Sequence, residues 1–357
     1  MTTLADIGGW PGVLARLMSG EDLPRDHAVA VFDSVLSGEA APTQIAAFAA
    51  ALRTKGETSE EIGGFVEAMR GRAERIELGP GLVDTCGTGG DRSGTINVST
   101  MAAVIVAASG ARVCKHGGRA SSSISGSADV FEALGVVVDL GPAGVARCVE
   151  EAGIGFCLAP RFHPAMRYAA PVRRELGVPT VFNFLGPLAN PARATRQLIG
   201  VGDRRMAVRM LDVLEANGSE HAMIVYGHDG LDELSTVTGS TVLETRRRTA
   251  AASYERSCYE VDAGALGLSP AEPEDLRGGT PAQNAELLEA VFRGDEGPQR
   301  DFVLLNAAAA LVVAGKAPDL ASGIERAGSL IDTGAARAKL DELVRVSNEA
   351  KAQGLQG

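Results

Sequence analysis

Two hydrophobic periods divide the chain. Between residues 10 and 75 the apolar positions recur at helical spacing. "WPGVLARLMSG" runs out at Ser19 and Gly20. "PRDHAVAVFDSVLSGEA" begins with Pro24 and stops at Gly38. "PTQIAAFAAALRTKG" starts at Pro42 and ends at Gly56. "TSEEIGGFVEAMRGRA" opens with Thr58 and Glu61, the spacing of a capping box. The pattern predicts four short amphipathic helices in one small helical unit.

From residue 82 the period shortens. "LVDTC" predicts a strand, and a glycine-rich loop follows it. "STMAAVIVAASG" then predicts a helix ending at Gly110. "ARVCKHGG", "GVVVDLG" and "GIGFCLAP" each predict a strand, with helices over "ADVFEALG" and "AGVARCVEEAG" between them. Residues 161–177 read as helical, and "HAMIVYGHDG" and "LLNAAAALVVAG" continue the alternation. Residues 262–300, rich in Gly, Pro and Glu, read as loops with a short helix. The fold class expected is α/β: a small all-helical domain over 1–77, and a large α/β domain over 78–357 with a mostly parallel central sheet flanked by helices.

The 357 residues exceed what one core usually supports, which agrees with two domains. Aromatics are 4%, so Ala, Val, Leu and Ile must build the core. The net charge of −11 opposes binding of nucleic acid or anionic membrane by the molecule as a whole. A phosphate ligand would therefore need local cations or a metal. Cys86, Cys114, Cys148, Cys157 and Cys258 are scattered, with no C-x-x-C, so neither a disulfide framework nor a zinc cluster is expected. With no basic-then-apolar leader at the N-terminus, a cytoplasmic location is expected.

The chemistry concentrates in three loops. The first is "DTCGTGGDRSGTINVST", residues 84–100. It is no dinucleotide fingerprint, because Arg92 stands where the third glycine belongs, and no P-loop, because Thr95 stands where lysine belongs. The physics of an anion cradle remains. Gly87, Gly89 and Gly90 let backbone N–H groups approach a phosphate, Thr95, Ser99 and Thr100 add hydroxyls, and the helix that starts near Ser99 turns its positive end to the same place. Asp91 would repel a phosphate, and suits a ribose hydroxyl or a metal-bound water better.

The second loop, "KHGGRASSSISGSAD", residues 115–129, adds Lys115, His116 and Arg119 to a run of serines. Two anion loops at adjacent strand ends suggest a ligand with phosphates at both ends. In the third, "HDGLDELS", residues 228–235, Asp232 and Glu233 can hold Mg²⁺ through carboxylate oxygens beside such a ligand.

Seven ordered motifs now match a known pattern: "GTGGD", "NVST", "KHGGR", "GSAD", "HPAMRYAAPVRRELG", "FNFLGPLANPA" and "DGLDELS". The chain resembles the anthranilate phosphoribosyltransferases of tryptophan biosynthesis from about residue 10 to 345. The resemblance implies a helical domain completed by helices near 161–180, a homodimer through that domain, and substrates in the cleft. It implies that 5-phosphoribosyl 1-diphosphate (PRPP) contacts Gly87, Gly90, Asp91, Thr95, Asn97, Val98, Ser99, Thr100, Lys115, His116, Gly117, Gly118, Arg119, Ala120, Ser121, Ser122, Ser123 and Ser127. Ser99 with Glu233, and Asp232 with Glu233, would hold two Mg²⁺ ions. Gly87, Gly118, His163 and Arg173 would receive anthranilate.

The chain departs from the family pattern in places. Gly118 replaces the asparagine usual in "KHGNR", removing an amide expected to touch anthranilate. Arg92 replaces a common glycine, and either reaches the diphosphate or faces solvent. Met166 stands where some relatives carry tyrosine. The activity implied is transfer of phosphoribose from PRPP to the anthranilate amine. The alternatives are transfer to a different aromatic acid, pyrimidine-nucleoside phosphorolysis, and a non-catalytic relative that binds nucleic acid.

Overall fold

The computed structural model describes residues 2–89, 91, 93–120, 124–248 and 253–356. Four helices open the chain: α1 (Gly9–Met18), α2 (Arg25–Ser37), α3 (Pro42–Lys55) and α4 (Ser59–Gly71). The helix signals in the sequence act at their own positions. Gly38 closes α2 in the left-handed conformation, φ 79°. Thr58 and Glu61 cap α4 reciprocally, Thr58 accepting from the Glu61 N–H at 3.2 Å and Glu61 from the Thr58 N–H at 2.8 Å.

The large unit is built on seven strands: β1 (Val83–Gly87), β2 (Val113–Gly117), β3 (Ile154–Leu158), β4 (Arg196–Gly200), β5 (His221–Gly227), β6 (Ser240–Arg248) and β7 (Ser253–Val261). Their spatial order is β3-β2-β1-β4-β5-β6-β7. The first five are mutually parallel, and β6 and β7 add antiparallel at one edge. The chain moves outward from β1 to β2 and β3, then returns to the other side of β1 as β4. This reversal leaves a crevice beyond the carboxyl ends of β1 and β4, where open α/β sheets receive ligands.

The five parallel strands are buried on both faces. Along β4 and β5, Leu198, Met223 and Val225 enter one core with α5 (Val98–Ala108) and the C-terminal helices. The alternate residues Ile199, Ala222 and Ile224 enter a second core shared with α1–α4. The helical unit thus packs on one sheet face, beside the crevice. A 3₁₀ turn (Pro164–Tyr168) and the helix Ala170–Leu176 lie against α2 and α3.

Two local expectations fail. "GVVVDLG" forms no strand. Val136, Val138 and Leu140 are buried and Asp139 is exposed, so the alternation is real, but the segment has no ladder. Its Val137 N–H donates to the Ser347 hydroxyl instead, at 3.1 Å. Residues 161–177 are not one helix. Pro164 and Pro171 divide them into a turn, a 3₁₀ turn and a two-turn helix.

Candidate functional site

The three chemical loops leave the carboxyl ends of β1, β2 and β5, and they meet. After β5 the chain turns back so that Asp232 and Glu233 pass over the ends of β1 and β4. The approach is close enough that the sites beneath must be glycine. A Cβ on Gly87 would sit 3.0 Å from the Asp232 carboxyl carbon, and one on Gly200 would collide with the Asp232 carbonyl. Gly89, at φ 67°, turns its N–H onto the Asp232 Oδ2 at 2.6 Å.

The acidic groups here stand in an environment that resists their charge. Asp232 and Glu233 are buried, at 7% and 9% exposure. Burial, then the charge of Asp91, pushes the Asp232 carboxyl up to about 7. Burial, then Asp232, pushes Glu233 well above the usual carboxylate range. Among the described residues no three His, Cys, Asp or Glu side chains form a cage for a metal. Two neighbouring carboxylates do suit Mg²⁺, which keeps waters and takes substrate phosphate oxygens as partners.

Lys115, on β2, is 1% exposed. Its Nζ donates to the Thr85 carbonyl and, at 3.3 Å, to the Ser99 hydroxyl. Burial lowers the pKa of its ammonium, while Asp84 and Glu233 pull the other way. Asp84 carries no signal in the sequence. It is fully buried, accepts from the His116 N–H at 3.0 Å and from the Asn190 amide at 2.8 Å, and so fixes the start of the second loop. Asn190 also donates to the Cys114 carbonyl at 2.9 Å. Partners 32 and 106 positions away leave no sequence pattern.

The first loop is pinned from outside. Ile96 N–H donates to the Leu276 carbonyl at 3.0 Å, Gly278 N–H to the Gly94 carbonyl at 2.8 Å, and Asn284 to the Asn97 side chain at 2.8 Å. Thr95 makes an isolated bridge with Arg277. Val98 opens α5, and Ser99 and Thr100 lie in its first turn. In the second loop, Asp129 accepts from the backbone N–H groups of Ala120 and Gly126, both at 2.9 Å. Arg119 pairs with Asp129 and Glu132 on the helix that Ser127 begins. Gly117 packs so near Ser127 and Phe156 that a Cβ would lie 3.0–3.2 Å from them. Among the described residues, a Cβ at Gly118 would meet nothing within 4 Å. Gly90, Arg92, Ser121, Ser122 and Ser123 lie outside the described residues.

His163 and Arg173, two of the residues expected to receive the acceptor, sit at the seam with the helical unit, and His116 of the second loop lies beside His163. His116 Nδ1 faces the Gly186 carbonyl at 3.0 Å, and burial lowers its pKa. The Nδ1–H therefore donates, and Nε2 carries the lone pair; that nitrogen is buried with no partner among the described residues. The His163 ring lies 5.1 Å from that of His116, centroid to centroid. Arg173 stands 6.0 Å from the Phe182 ring centroid, and burial lowers its pKa.

Comparison with known proteins agrees with this geometry. The family model described as "Glycosyl transferase family, a/b domain" matches residues 79–337, and "Glycosyl transferase family, helical bundle domain" matches 11–73. The anthranilate phosphoribosyltransferase of Roseiflexus castenholzii is 48% identical over 336 residues, 94% of this chain and 97% of that one. The crystal structure of anthranilate phosphoribosyltransferase from Thermus thermophilus superposes with a TM-score of 0.86 at 39% identity, covering 94% of this chain and 99% of that one. That of Saccharomyces cerevisiae in complex with PRPP and Mg gives 0.86 at 27% identity, covering 95% and 98%. The yeast protein is also solved in complex with 4-fluoroanthranilate.

Proposed function

The chain belongs to the anthranilate phosphoribosyltransferase family, and from that premise we propose how its residues carry the reaction. The enzyme transfers phosphoribose from PRPP to the anthranilate amine. The amine nitrogen forms a bond to ribose C1, the C1–O bond to diphosphate breaks, and the amine gives up a proton.

The observation that carries the assignment is the folding of Asp232 and Glu233 over Gly87 and Gly89 at the sheet crevice. PRPP would lie along the β1 and β2 loops, from Gly87 through Thr100 and from Lys115 through Ser127. Lys115, by tying Thr85 to Ser99, keeps the strand end and the first turn of α5 in one geometry. Ser99, Asp232 and Glu233 would hold Mg²⁺, two ions in this reading. Bound Mg²⁺ would neutralise charge developing on the leaving diphosphate. The anthranilate amine is neutral at pH 7, so positioning does more than base strength. The bare His116 Nε2 can accept its N–H, while Arg173 and His163 would face its carboxylate and ring, with Gly118 leaving room and the Gly87 backbone beside it. Closure of the helical unit would exclude water, which otherwise hydrolyses PRPP.

A homodimer through the helical unit and a cytoplasmic location go with this reading, as does a domain division near residue 77. No helix among the described residues is long and apolar enough to cross a membrane. Calorimetric titration of PRPP tests the donor site. Binding that requires Mg²⁺ and disappears in Asp232→Asn/Glu233→Gln supports it, and metal-independent binding of equal strength in that variant refutes it.

A further inference from the structure

The end of α4 carries a cation with no counter-charge among the described residues. Arg70 is the penultimate residue of that helix. Its Nε is buried without a hydrogen-bond partner, and the charge that acts on it is that of Arg193, also positive. Burial and Arg193 together lower it to about 10. A helix C-terminus favours arginine in general, but that field does not satisfy a buried N–H.

The chain beyond α4 shows why Arg70 sits where it does. Glu74 N–H donates to the Phe162 carbonyl at 3.0 Å, and its carboxylate pairs with Arg161 at 2.6 Å. Ile76 N–H donates to the Pro191 carbonyl at 3.5 Å. These bonds hold the end of α4 between the turn at 159–163 and the loop at 190–193. His163 lies on the first and Arg193 on the second. Arg193 has φ 53°, among the described residues the one non-glycine in the left-handed region. His163 is 3% exposed, and among the described residues neither ring nitrogen finds a hydrogen-bond partner. The Ala189 carbonyl lies near enough to favour its charged form slightly, but outside bonding geometry.

Buried donors without acceptors are costly, by about 1–3 kcal/mol each. Natural proteins leave few of them, and each calls for a reason. The orphaned Arg70 Nε and His163 ring nitrogens, with the exposed Arg193 nearby and the one close acid, Glu74, already paired with Arg161, describe a seat for an anion. The forked guanidinium suits a carboxylate.

We propose that Arg70 of the helical unit and His163 of the α/β unit form an anion seat for the carboxylate of the aromatic acceptor, so that the helical unit takes part in acceptor recognition alongside Arg173. This rests on the reading of the reaction given above. Arg70 is a binding residue in this proposal and touches no reacting atom.

Arg70→Met and Arg70→Lys test it. In Arg70→Met the anthranilate KM rises about 10- to 100-fold. PRPP binding, read by calorimetry, stays within about twofold, and the melting temperature of the ligand-free protein holds or rises because an uncompensated buried charge has gone. Arg70→Lys falls between, keeping charge without the fork. An unchanged anthranilate KM overturns the proposal, as does a KM rise matched by lost PRPP binding and a lower melting temperature, which marks a packing role. If the native enzyme fails to turn over anthranilate, the reaction assignment is at fault, and benzoate decides the seat separately. Benzoate raises the melting temperature of the native protein, and by clearly less in Arg70→Met, if the seat exists. Equal responses, or none in the native protein, overturn it.

Discussion

The Asp232 carboxylate receives the N–H of Gly89 at 2.6 Å and lies over the bare Cα of Gly87, 145 positions earlier in the chain. The acidic loop after β5 can close on the crevice only because β1 ends without a side chain. Gly87→Ala therefore displaces the carboxylate. The expected loss in kcat/KM is about 100-fold or more, in line with small misplacements at reacting centres. Steady-state kinetics measure it, and the melting temperature should fall by a few degrees at most.

Asp232 is also placed against its own charge. Its carboxyl is raised to about 7 from an ordinary value of 3.8. A group raised in this way takes up protons on folding between those two values, so its contribution to stability declines as pH rises through the window. Asp232→Asn removes the burden while keeping an acceptor for Gly89. In metal-free protein, the variant should melt higher than the native chain at pH 8, by roughly 1 kcal/mol or more of stability. The gap should narrow toward pH 5. Thermal melts across pH check this, and a variant less stable at pH 8 contradicts it.

His163 gives the opposite slope from the same cause. Burial, then the charge of His116, lowers it from 6.5 to about 3. Between those values the unfolded chain binds the proton and the folded chain does not, so stability falls as pH drops below 6.5. His163→Gln should flatten the loss between about pH 6.5 and 4 by up to about 1 kcal/mol per pH unit. Denaturant titrations at several pH values measure the two slopes.

The two units are joined by a polar clamp whose removal should cost stability more than chemistry. Asp203 caps the helix Arg204–Ala216, accepting from the Arg205 N–H at 3.1 Å, and pairs with Arg53 of α3 at 2.5 Å. Asp203→Ala should destabilise the protein by about 1–2 kcal/mol, a lost cap plus a partly exposed ion pair. Calorimetric melting reads it, and kcat at about 25 °C should change less than about twofold. A large fall in kcat with unchanged melting would mean that the clamp governs closure instead.

Local signals in the sequence are reliable where they have local causes. The caps of α2 and α4, the strand before the glycine loop and the helix after it all rest on neighbours within a few positions. The segment 135–141 misleads because burial alternates there as it would in a strand, yet no partner strand runs beside it. β4 is hard to read, being five residues long and opening with Arg196 and Gln197. The β6–β7 hairpin is equally hidden, because its charged outer face masks the alternation. In the site, the loops announce themselves through glycine, serine and acidic residues. Asp84, Asn190 and Arg70 do not, since each gains its meaning from partners, or from the lack of them, that only the folded chain brings near.

The most direct test of the account is one assay. Purified protein is mixed with PRPP, Mg²⁺ and anthranilate, and loss of anthranilate fluorescence is followed together with release of diphosphate. The account predicts that the two proceed in equal amounts, stop with EDTA, and are absent in Asp232→Ala/Glu233→Ala. Bound PRPP with no consumption of anthranilate, while another aromatic acid is consumed, would contradict it and assign the space at Gly118 to that other acceptor.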